Sequence, residues 1–579
     1  MALPLVDEPV VRTPRRPGGP KPKGARDLSV TILTIAVAAI LLMVIGFPLG
    51  GLLSTAFKPD GLAVLGRIFT DTVNHRVVGN TLVLGLVVGV VGTAVGFLFA
   101  FAQARLQFRG KRLLHLLAMI PIVAPPFAVA TAVITLFGRN GAITTGIFGW
   151  QSNVYGLPGL TIVLSLSFFP VAYMNLRGML ESLDPSLDEA AAGLGATKLR
   201  AFFTVTIPML VPGIAGSFLL LFVEAIADLA NPLVIGGDYT VLASRAYLAV
   251  TGEYNTHAGA AYSLVLLLPA LLVFLVQRYW VSRKSVVSIT GKPTGTTEMI
   301  AAPSIRVPIL TIVFALAALI ATIYATVLLG GFVKVPGVNN EFTLDHYQFV
   351  LAGLGSKAMV DTTILALIAA PIAGLLGMLI AWLVVRKLKR GSALLDFVGM
   401  LGLAVPGTVL GIGYAISYNS PIEIFGFEII PAIAGGSAVL SGAIAIVMVY
   451  IIRSLPSGQR AAVSALQQIH PAIEEASTSL GADSAVTFRK VTLPLIQSAL
   501  LTGLTFAFAR SMTTLSPIIF LTTPGIKIMT SQILAEVDSG RFGNAFAYCT
   551  VLIGIVLVVI LLLNILIRKV VFRGRSHNR

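Results

Sequence analysis

The segment 189-EAAAGLGATKLRAFFTVTIP-208 returns 286 residues later as 475-EASTSLGADSAVTFRKVTLP-494. In each copy a glycine follows the first glutamate by six residues, and a proline follows that glycine by thirteen. Earlier matches share an offset of 281, and they pair Asn80-Thr81, Arg105, Gly110 and Pro125 with Asp361-Thr362, Arg386, Gly391 and Pro406. The chain therefore consists of two copies of one unit, fused in the same sense.

The composition places both copies in a membrane. Of the 579 residues, 56% are hydrophobic and 11% are charged, and the mean hydropathy is +0.91. A soluble protein carries about 25% charged residues. The apolar residues cluster in twelve runs long enough to cross a bilayer: 29–54, 78–104, 113–137, 157–176, 209–232, 258–280, 306–331, 361–385, 393–417, 429–452, 495–520 and 545–567.

The basic residues predict the topology. The net charge is +16, and roughly three quarters of the 41 Lys and Arg residues fall in alternate loops and in the two tails, as the positive-inside rule requires of the cytoplasmic side. We therefore expect both termini in the cytoplasm. The expected parts are a basic, Pro-rich tail (1–28), a six-helix half (29–281), a linker (282–305), a second six-helix half (306–570) and a basic tail (571–579). Parallel repeats of this kind build a pore or a binding site at their interface.

The repeated segment has the features of a short docking helix between the fourth and fifth spans of each half. Asp184-Pro185-Ser186 and His470-Pro471 are suited to begin a helix, and Gly195 and Gly481 are suited to end it. Pro208 and Pro494 are expected to begin the fifth membrane helix. The alternative is an amphipathic helix lying on lipid headgroups, which the Ala and Ser residues of its exposed face disfavour.

These segments resemble the EAA loop of binding-protein-dependent ABC importer permeases. The matching residues are Glu189, Ala190, Ala191, Gly195 and Pro208 in the first copy, and Glu475, Ala476, Ser477, Gly481 and Pro494 in the second. Ser477 replaces an alanine of the family pattern. The resemblance implies an all-α type I importer permease of about twelve membrane helices, whose EAA loops are the coupling helices that contact ATPase subunits.

The resemblance also implies partners. The chain contains no G-x-x-x-x-G-K-[ST] phosphate loop. ATP and Mg²⁺ are therefore expected on two separate nucleotide-binding subunits, with no cofactor in this chain, which is not itself an enzyme. An extracytoplasmic solute-binding protein is expected to deliver the cargo.

The fused form is similar to the ferric-iron permease group, which also includes permeases for phosphonates and sugar phosphates. That narrower resemblance rests on the fusion, on Asn80-Thr81-Leu82, on Ile235-Gly236-Gly237 with 243–247, and on 288–293. Ferric iron is the expected cargo; a phosphonate or sugar phosphate, thiamine or another small anion is the alternative, and an ion-coupled secondary transporter is a remote one. None of the six histidines lies three or four residues from another, so we expect no metal site in the chain.

Polar and helix-breaking residues within the spans are the candidates for the pore and its gate. They are Pro125 and Pro406 in the third spans, and Glu224, Asp228, Asn231, Arg510, Ser511 and Thr514 in or near the fifth spans. A packing kink at the prolines, and an interfacial position for Asp228 and Asn231, remain open. Charges at mid-membrane are rare without a partner or a cavity.

Glu224 and Arg510 are related by the same offset of 286 as the EAA segments. A pseudo-two-fold axis would bring them toward each other, so we hypothesise an ion pair near the gate. Separate partners within each half, or an arginine that reaches the headgroups, are the alternatives.

Overall fold

The computed structural model describes residues 28–281, 299–424 and 426–576. Most of the predicted N-terminal tail, most of the linker with its 288–293 stretch, and residues 577–579 of the C-terminal tail lie outside these ranges. Within them, the chain is almost entirely helical, and two short β-hairpins lie between helices.

The first half contains eleven helical elements in the described ranges. They are α1 (Leu28–Ala56), α2 (Pro59–Thr70), α3 (Thr72–Arg105), α4 (Lys111–Val123), α5 (Pro126–Phe137), α6 (Leu157–Ser182), α7 (Pro185–Gly193), α8 (Leu199–Ala227), α9 (Ala230–Ile235), α10 (Leu242–Thr251) and α11 (Thr256–Trp280).

The second half repeats this order. Its elements are α12 (Pro303–Gly330), β1 (Val333–Val335), β2 (Asn339–Phe342), α13 (Asp345–Leu351), α14 (Ser356–Lys387), α15 (Ser392–Ala404), α16 (Gly407–Tyr418), β3 (Ile422–Ile424), β4 (Phe427–Ile430), α17 (Ala443–Gln468), α18 (Ala472–Ser479), α19 (Ser484–Leu495), α20 (Gln497–Thr513), α21 (Met529–Asp538) and α22 (Phe542–Ser576). β1 pairs with β2 and β3 with β4, both antiparallel.

Three of the twelve predicted spans are bent helix pairs. The described ranges hold nine straight apolar helices of spanning length, and α4–α5, α15–α16 and α19–α20 are bent by 109°, 101° and 78°. With each bent pair counted as one span, the all-α fold of two parallel six-span repeats is confirmed. The first two bends lie at Pro125 and Pro406, which cap the second helix of their pairs.

Several predicted spans have wrong boundaries, and two of them show why. The run 429–452 begins in β4 and a loop, and the helix that follows extends from Ala443 to Gln468. The hydropathy window is misplaced because the residues of β4 are as hydrophobic as those of a membrane helix. The true helix continues past Arg453, which is partly buried, and Arg460, which is exposed. For the predicted run 209–232, the observed helix α8 already ends at Ala227, because the backbone of Asp228 is extended.

The prediction that Pro208 and Pro494 begin the fifth helices is also wrong. The helices begin about ten residues earlier, and each contains a five-residue π-helical segment, Phe202–Thr206 or Phe488–Thr492, just before the proline. The same arrangement occurs in α1, where Leu42–Gly46 precedes Pro48. A wide π turn leaves room for a proline ring that would otherwise clash with the preceding turn.

The first helix of each half packs on the bent third span of the other half. α1 contacts α16, and α12 contacts α5. In the α1–α16 interface the buried Tyr414 and Tyr418 hydroxyls donate hydrogen bonds to the Val44 and Met43 carbonyls, at 2.7 and 2.6 Å. Each half therefore contributes its first helix to the packing of the other half, and these contacts hold the two halves together.

Candidate functional site

The two EAA segments form equivalent short helices. α7 and α18 both end in a Schellman motif: the Gly195 and Ala196 N–H groups donate to the Ala192 and Ala191 carbonyls, and Gly481 and Ala482 repeat the pattern. Gly195 and Gly481 have φ values of +80° and +87°, which glycine adopts without strain. These glycines therefore set the sharp end of each EAA helix.

The exposed surface at these helix ends is more apolar than the Ala and Ser residues of the sequence suggest. Leu194 and Leu480, immediately before the two glycines, are 90% and 89% exposed. Ala190 and Ala192 are exposed beside Leu194. Below, the face of the bundle that carries α7 and α18 is called the EAA face.

A buried ion pair fixes the second EAA helix to the membrane helices. The Arg386 Nε lies 3.7 Å from Glu474 Oε1, and both side chains are about 90% buried. Arg386 also donates to the Leu466 and Ile469 carbonyls at the end of α17, at 2.7 and 2.6 Å. The Thr492 hydroxyl, in α19, donates to Glu474 at 2.9 Å. Arg386, Glu474 and Thr492 therefore connect α18 directly to α14, α17 and α19.

Polar residues of both halves meet in a small cavity near the middle of the bundle, here called the central cavity. It is lined by Phe127, Phe168, Glu224, Ala227, Asp228, Ala230, Arg453, Arg510, Thr513, Thr514, Leu515, Ser516 and Pro517. Arg510 Nη2 lies 3.5 Å from Glu224 Oε1, and the two side chains are 36% and 25% exposed. The structure thus brings the two related charges together across the halves.

The other predicted pore residues divide into two groups. Asp228 and Thr514 line the central cavity at the ends of α8 and α20, whereas Asn231 and Ser511 are fully buried and do not. Asp228 accepts two hydrogen bonds of 2.9 Å from the backbone and side chain of Asn231, so Asn231 positions the carboxylate. The Ser511 hydroxyl lies 3.3 Å from that of Ser454.

Pro125 and Pro406 are themselves outside the cavity lining. The bend at Pro125 places Phe127 against the cavity. At Pro406, a Cβ on the following Gly407 would lie 2.9 Å from Ser516 and Pro517, so the bend packs closely against the segment that follows α20.

Comparison with known protein families assigns the chain to one of them. The family described as "Binding-protein-dependent transport system inner membrane component" matches residues 92–286 and 373–575. The two matches cover more than half of the chain, one in each half. The chain belongs to this family. It is accordingly a multi-pass membrane permease, and not itself the ATPase.

Individual relatives agree with this assignment. The permease is 35% identical over 516 residues to a ferric transport system permease protein of Actinobacillus pleuropneumoniae, covering 87% of this chain and 72% of the relative. It is 23% identical over 481 residues to an Fe(3+)-transport system permease protein of Haemophilus influenzae, covering 83% and 87%. It is 28% identical over 196 residues to a molybdenum transport system permease protein of Escherichia coli, covering 33% and 85%.

Arg453 is a charged residue of the central cavity that the sequence reasoning missed. It is partly buried in α17, and its Nη1 donates to the Gly402 and Val405 carbonyls, at 3.1 and 3.3 Å. These carbonyls lie at the bend between α15 and α16, where the helix ladder is interrupted. The predicted span stopped at residue 452 and assigned Arg453 to a loop. The signal that could have identified it is its position, because Arg453 is a charged residue ten positions into the helix that begins at Ala443.

A larger cavity of about 690 Å³, here called the vestibule, lies between the halves on the side toward the EAA face. It is lined by Val171, Asn175, Met179, Pro212, Gly213, Gly216, Leu220, Phe274, Gln277, Arg278, Tyr279, Met400 and Arg460. Arg278 forms a 2.6 Å ion pair with Asp396 of the other half. Gln459 donates to the same carboxylate at 2.8 Å.

The Asn80-Thr81 feature has a structural role. The Thr81 and Thr362 hydroxyls accept hydrogen bonds from the Leu242 and Met529 N–H groups, both at 2.8 Å. Asn80 donates to the Thr240 carbonyl, and Asp361 accepts from the Lys527 N–H group. Both pairs therefore anchor the segment that follows the fifth span in their half.

Two histidines of the permease make polar contacts within their own half. His115 lies 2.8 Å from the Tyr173 hydroxyl, and His346 lies 2.6 Å from the Asn544 side-chain oxygen. Within residues 28–281, 299–424 and 426–576, no three His, Cys, Asp or Glu side chains are grouped as a metal site. Cys549 is a buried thiol.

Proposed function

We propose that the permease imports ferric iron and forms the complete translocation pathway of an ATP-driven, binding-protein-dependent transporter. The observation that carries the cargo assignment is the 35% identity, over 87% of this chain, to a protein named as a ferric transport system permease. The fused form supports it, since that relationship extends across both halves.

The EAA helices are the proposed contacts with two cytoplasmic ATPase subunits, which hold ATP and Mg²⁺; this chain has no cofactor of its own. Leu194 and Leu480 present equivalent exposed apolar side chains to these partners. Both termini are then cytoplasmic, in a bacterial inner membrane. A solute-binding protein docks on the opposite face, where the two β-hairpins lie.

The central cavity is the proposed gate. Its charged side chains come from α8, α17 and α20, and α17 is tied to the EAA helix α18 through Arg386 and Glu474. Closure of the ATPase subunits moves α18, and the contacts of Glu474 with Arg386 and Thr492 transmit this movement to α17 and α19. The Glu224–Arg510 pair then separates, and water that enters the open path solvates the two charges.

Uptake of radiolabelled iron by cells with and without this chain tests the cargo. We expect iron uptake that depends on the chain and stops when ATP is depleted while the membrane potential is maintained. Continued uptake after ATP depletion would indicate the ion-coupled alternative.

A small anion is the second candidate cargo. The similarity to a molybdenum transport permease and the arginines of the two cavities favour it over thiamine. Chain-dependent uptake of a labelled phosphonate or other oxyanion, without uptake of iron, would replace the iron assignment.

A further inference from the structure

The central cavity and the vestibule lie along the same faces of three helices. On α6, Phe168 lines the central cavity, and Val171, Asn175 and Met179 line the vestibule. Their spacings of three, four and four residues keep them on one helix face. The two cavities are therefore successive parts of one path.

The same relationship holds on α8 and α17. Leu220, Gly216 and Gly213 follow Glu224 toward the EAA face, and Arg460 follows Arg453 by seven residues, or two helical turns. A cargo that passes Glu224 and Arg510 thus next meets Arg460.

The vestibule lining carries positive charge and no carboxylate. Its two charged residues are Arg278 and Arg460, and the Asp396 partner of Arg278 lies outside the lining. The Arg460 side chain is exposed at the vestibule. In the described part of the chain, it has neither a carboxylate within 4 Å nor a hydrogen-bond partner. A guanidinium that faces a cavity with no carboxylate in its lining is available to bind an anion that enters.

The remaining wall suits a small ligand. Met179, Leu220, Phe274 and Met400 provide apolar surface, and the Gln277 amide provides a polar group. Predominantly apolar pockets with a few converging polar groups are typical ligand sites. A guanidinium binds carboxylate and phosphate oxygens in a bidentate manner.

We propose that the vestibule is an oxyanion-binding site on the translocation path, with Arg460 as its main ligand. The cargo therefore presents anionic oxygens to this permease. If the cargo is a metal, an inference that rests on the function proposed above, the transported species is a metal complex with anionic ligands and not the bare cation.

Charged thiol reagents test the sign of the vestibule directly. In the full-length chain, with Cys549→Ala as background, Val171→Cys and Met179→Cys each place one thiol on the lining. The two variants are independent, so either one suffices if the other fails to fold. Each is treated with methanethiosulfonates that carry either a sulfonate or a trimethylammonium group. We expect the sulfonate reagent to react faster, relative to its rate at the control Ser182→Cys on the exposed end of α6.

Removal of one charge then identifies the ligand. For a charge roughly 8 Å from the thiol, Arg460→Gln should lower the ratio of the two rates by about fivefold, because the two reagents respond in opposite directions. Arg76→Gln removes one charge at an exposed position on α3 and should leave the ratio unchanged. Inorganic phosphate or sulfate should slow the sulfonate reagent when Arg460 is present and have little effect on its rate in Arg460→Gln.

Equal rates, faster reaction with the cationic reagent, or a ratio insensitive to Arg460→Gln would each overturn the proposal. These measurements do not involve iron. A failure of iron uptake with the anion preference intact would refute the cargo assignment alone, and iron uptake without an anion preference would refute the oxyanion site alone.

Discussion

Exchanging the charges of Glu224 and Arg510 tests whether the ion pair in the central cavity acts as a gate. Glu224→Arg and Arg510→Glu each place two like charges at positions now 3.5 Å apart. We expect each single variant to impair transport and the double exchange to restore a substantial part of it. The two single variants should differ in severity. Glu224→Arg collects three arginines in one cavity with Arg453, whereas Arg510→Glu leaves Arg453 to neutralise a carboxylate.

The size of the effect follows from the distance and the exposure. Two unit charges 3.5 Å apart interact by about 1 kcal/mol at the dielectric constant of water and by about 5 kcal/mol at an effective value of 20. Both side chains are partly exposed, so solvent reduces the interaction toward the lower value. A coupling energy of about 1–3 kcal/mol in the double-mutant cycle corresponds to roughly 5- to 150-fold in transport rate.

Cargo uptake and ATP hydrolysis by the complete transporter in proteoliposomes provide the assay. The matched control is the same exchange at Lys334 and Glu341, an ion pair on the β1–β2 hairpin whose side chains are at least half exposed. We expect this control to change transport less than twofold. A double exchange at Glu224 and Arg510 that is no better than the worse single variant, in protein that inserts and binds its ATPase normally, would refute the gate.

Three other changes test the coupling path and the metal assignment. Gly195→Asp or Gly481→Asp adds a Cβ at positive φ, at a cost of about 1 kcal/mol, and a negative charge at the end of the EAA helix. We expect normal membrane insertion but loss of ATPase co-purification, and a smaller effect in the matched Gly→Asn control. Retention of normal transport would contradict the coupling role. Arg386→Gln removes the contacts of Arg386 with α17 and Glu474, and should lower uptake per ATP hydrolysed severalfold, as measured in the same vesicles; an unchanged ratio would exclude this path. Calorimetry on the purified permease should detect no submicromolar iron binding, since the described residues contain no metal-binding group, and such binding would require the histidines and carboxylates to be reconsidered.

The internal sequence repeat predicted that the chain has two equivalent halves and that Glu224 and Arg510 occupy equivalent positions. Both predictions depend only on offsets along the chain. The ends of the EAA helices were predictable for a similar reason. The φ values of Gly195 and Gly481 follow from local chemistry that any helix of this kind shares.

Hydropathy could not place Arg453 or the bend at Ile496. A hydropathy window measures the apolar character of a segment, and β4 and the following loop are as apolar as a helix. Arg453 is held by the Gly402 and Val405 carbonyls at the end of α15, which is distant in sequence. The 78° bend at Ile496 similarly has no counterpart in α8, although Pro208 and Pro494 are equivalent. Such features depend on tertiary contacts that differ between the halves.

Fusion of the two halves allows equivalent contacts to have different chemistry. In a symmetric dimer of one half, positions 224 and 510 would hold the same residue, and two like charges would face each other at 3.5 Å. By the repeat offsets, His115 corresponds to Asp396 and Tyr173 corresponds to Gln459. Each half has a 2.8 Å polar contact between its two residues, which involves the His115 ring in the first half and the Asp396 carboxylate in the second. Because the two halves are one chain, Asp396 can pair with Arg278 across the interface while its counterpart His115 contacts Tyr173 within its own half. The path can therefore be asymmetric in charge while the helix packing around it stays two-fold, which is the arrangement that a gate made of one acid and one base requires.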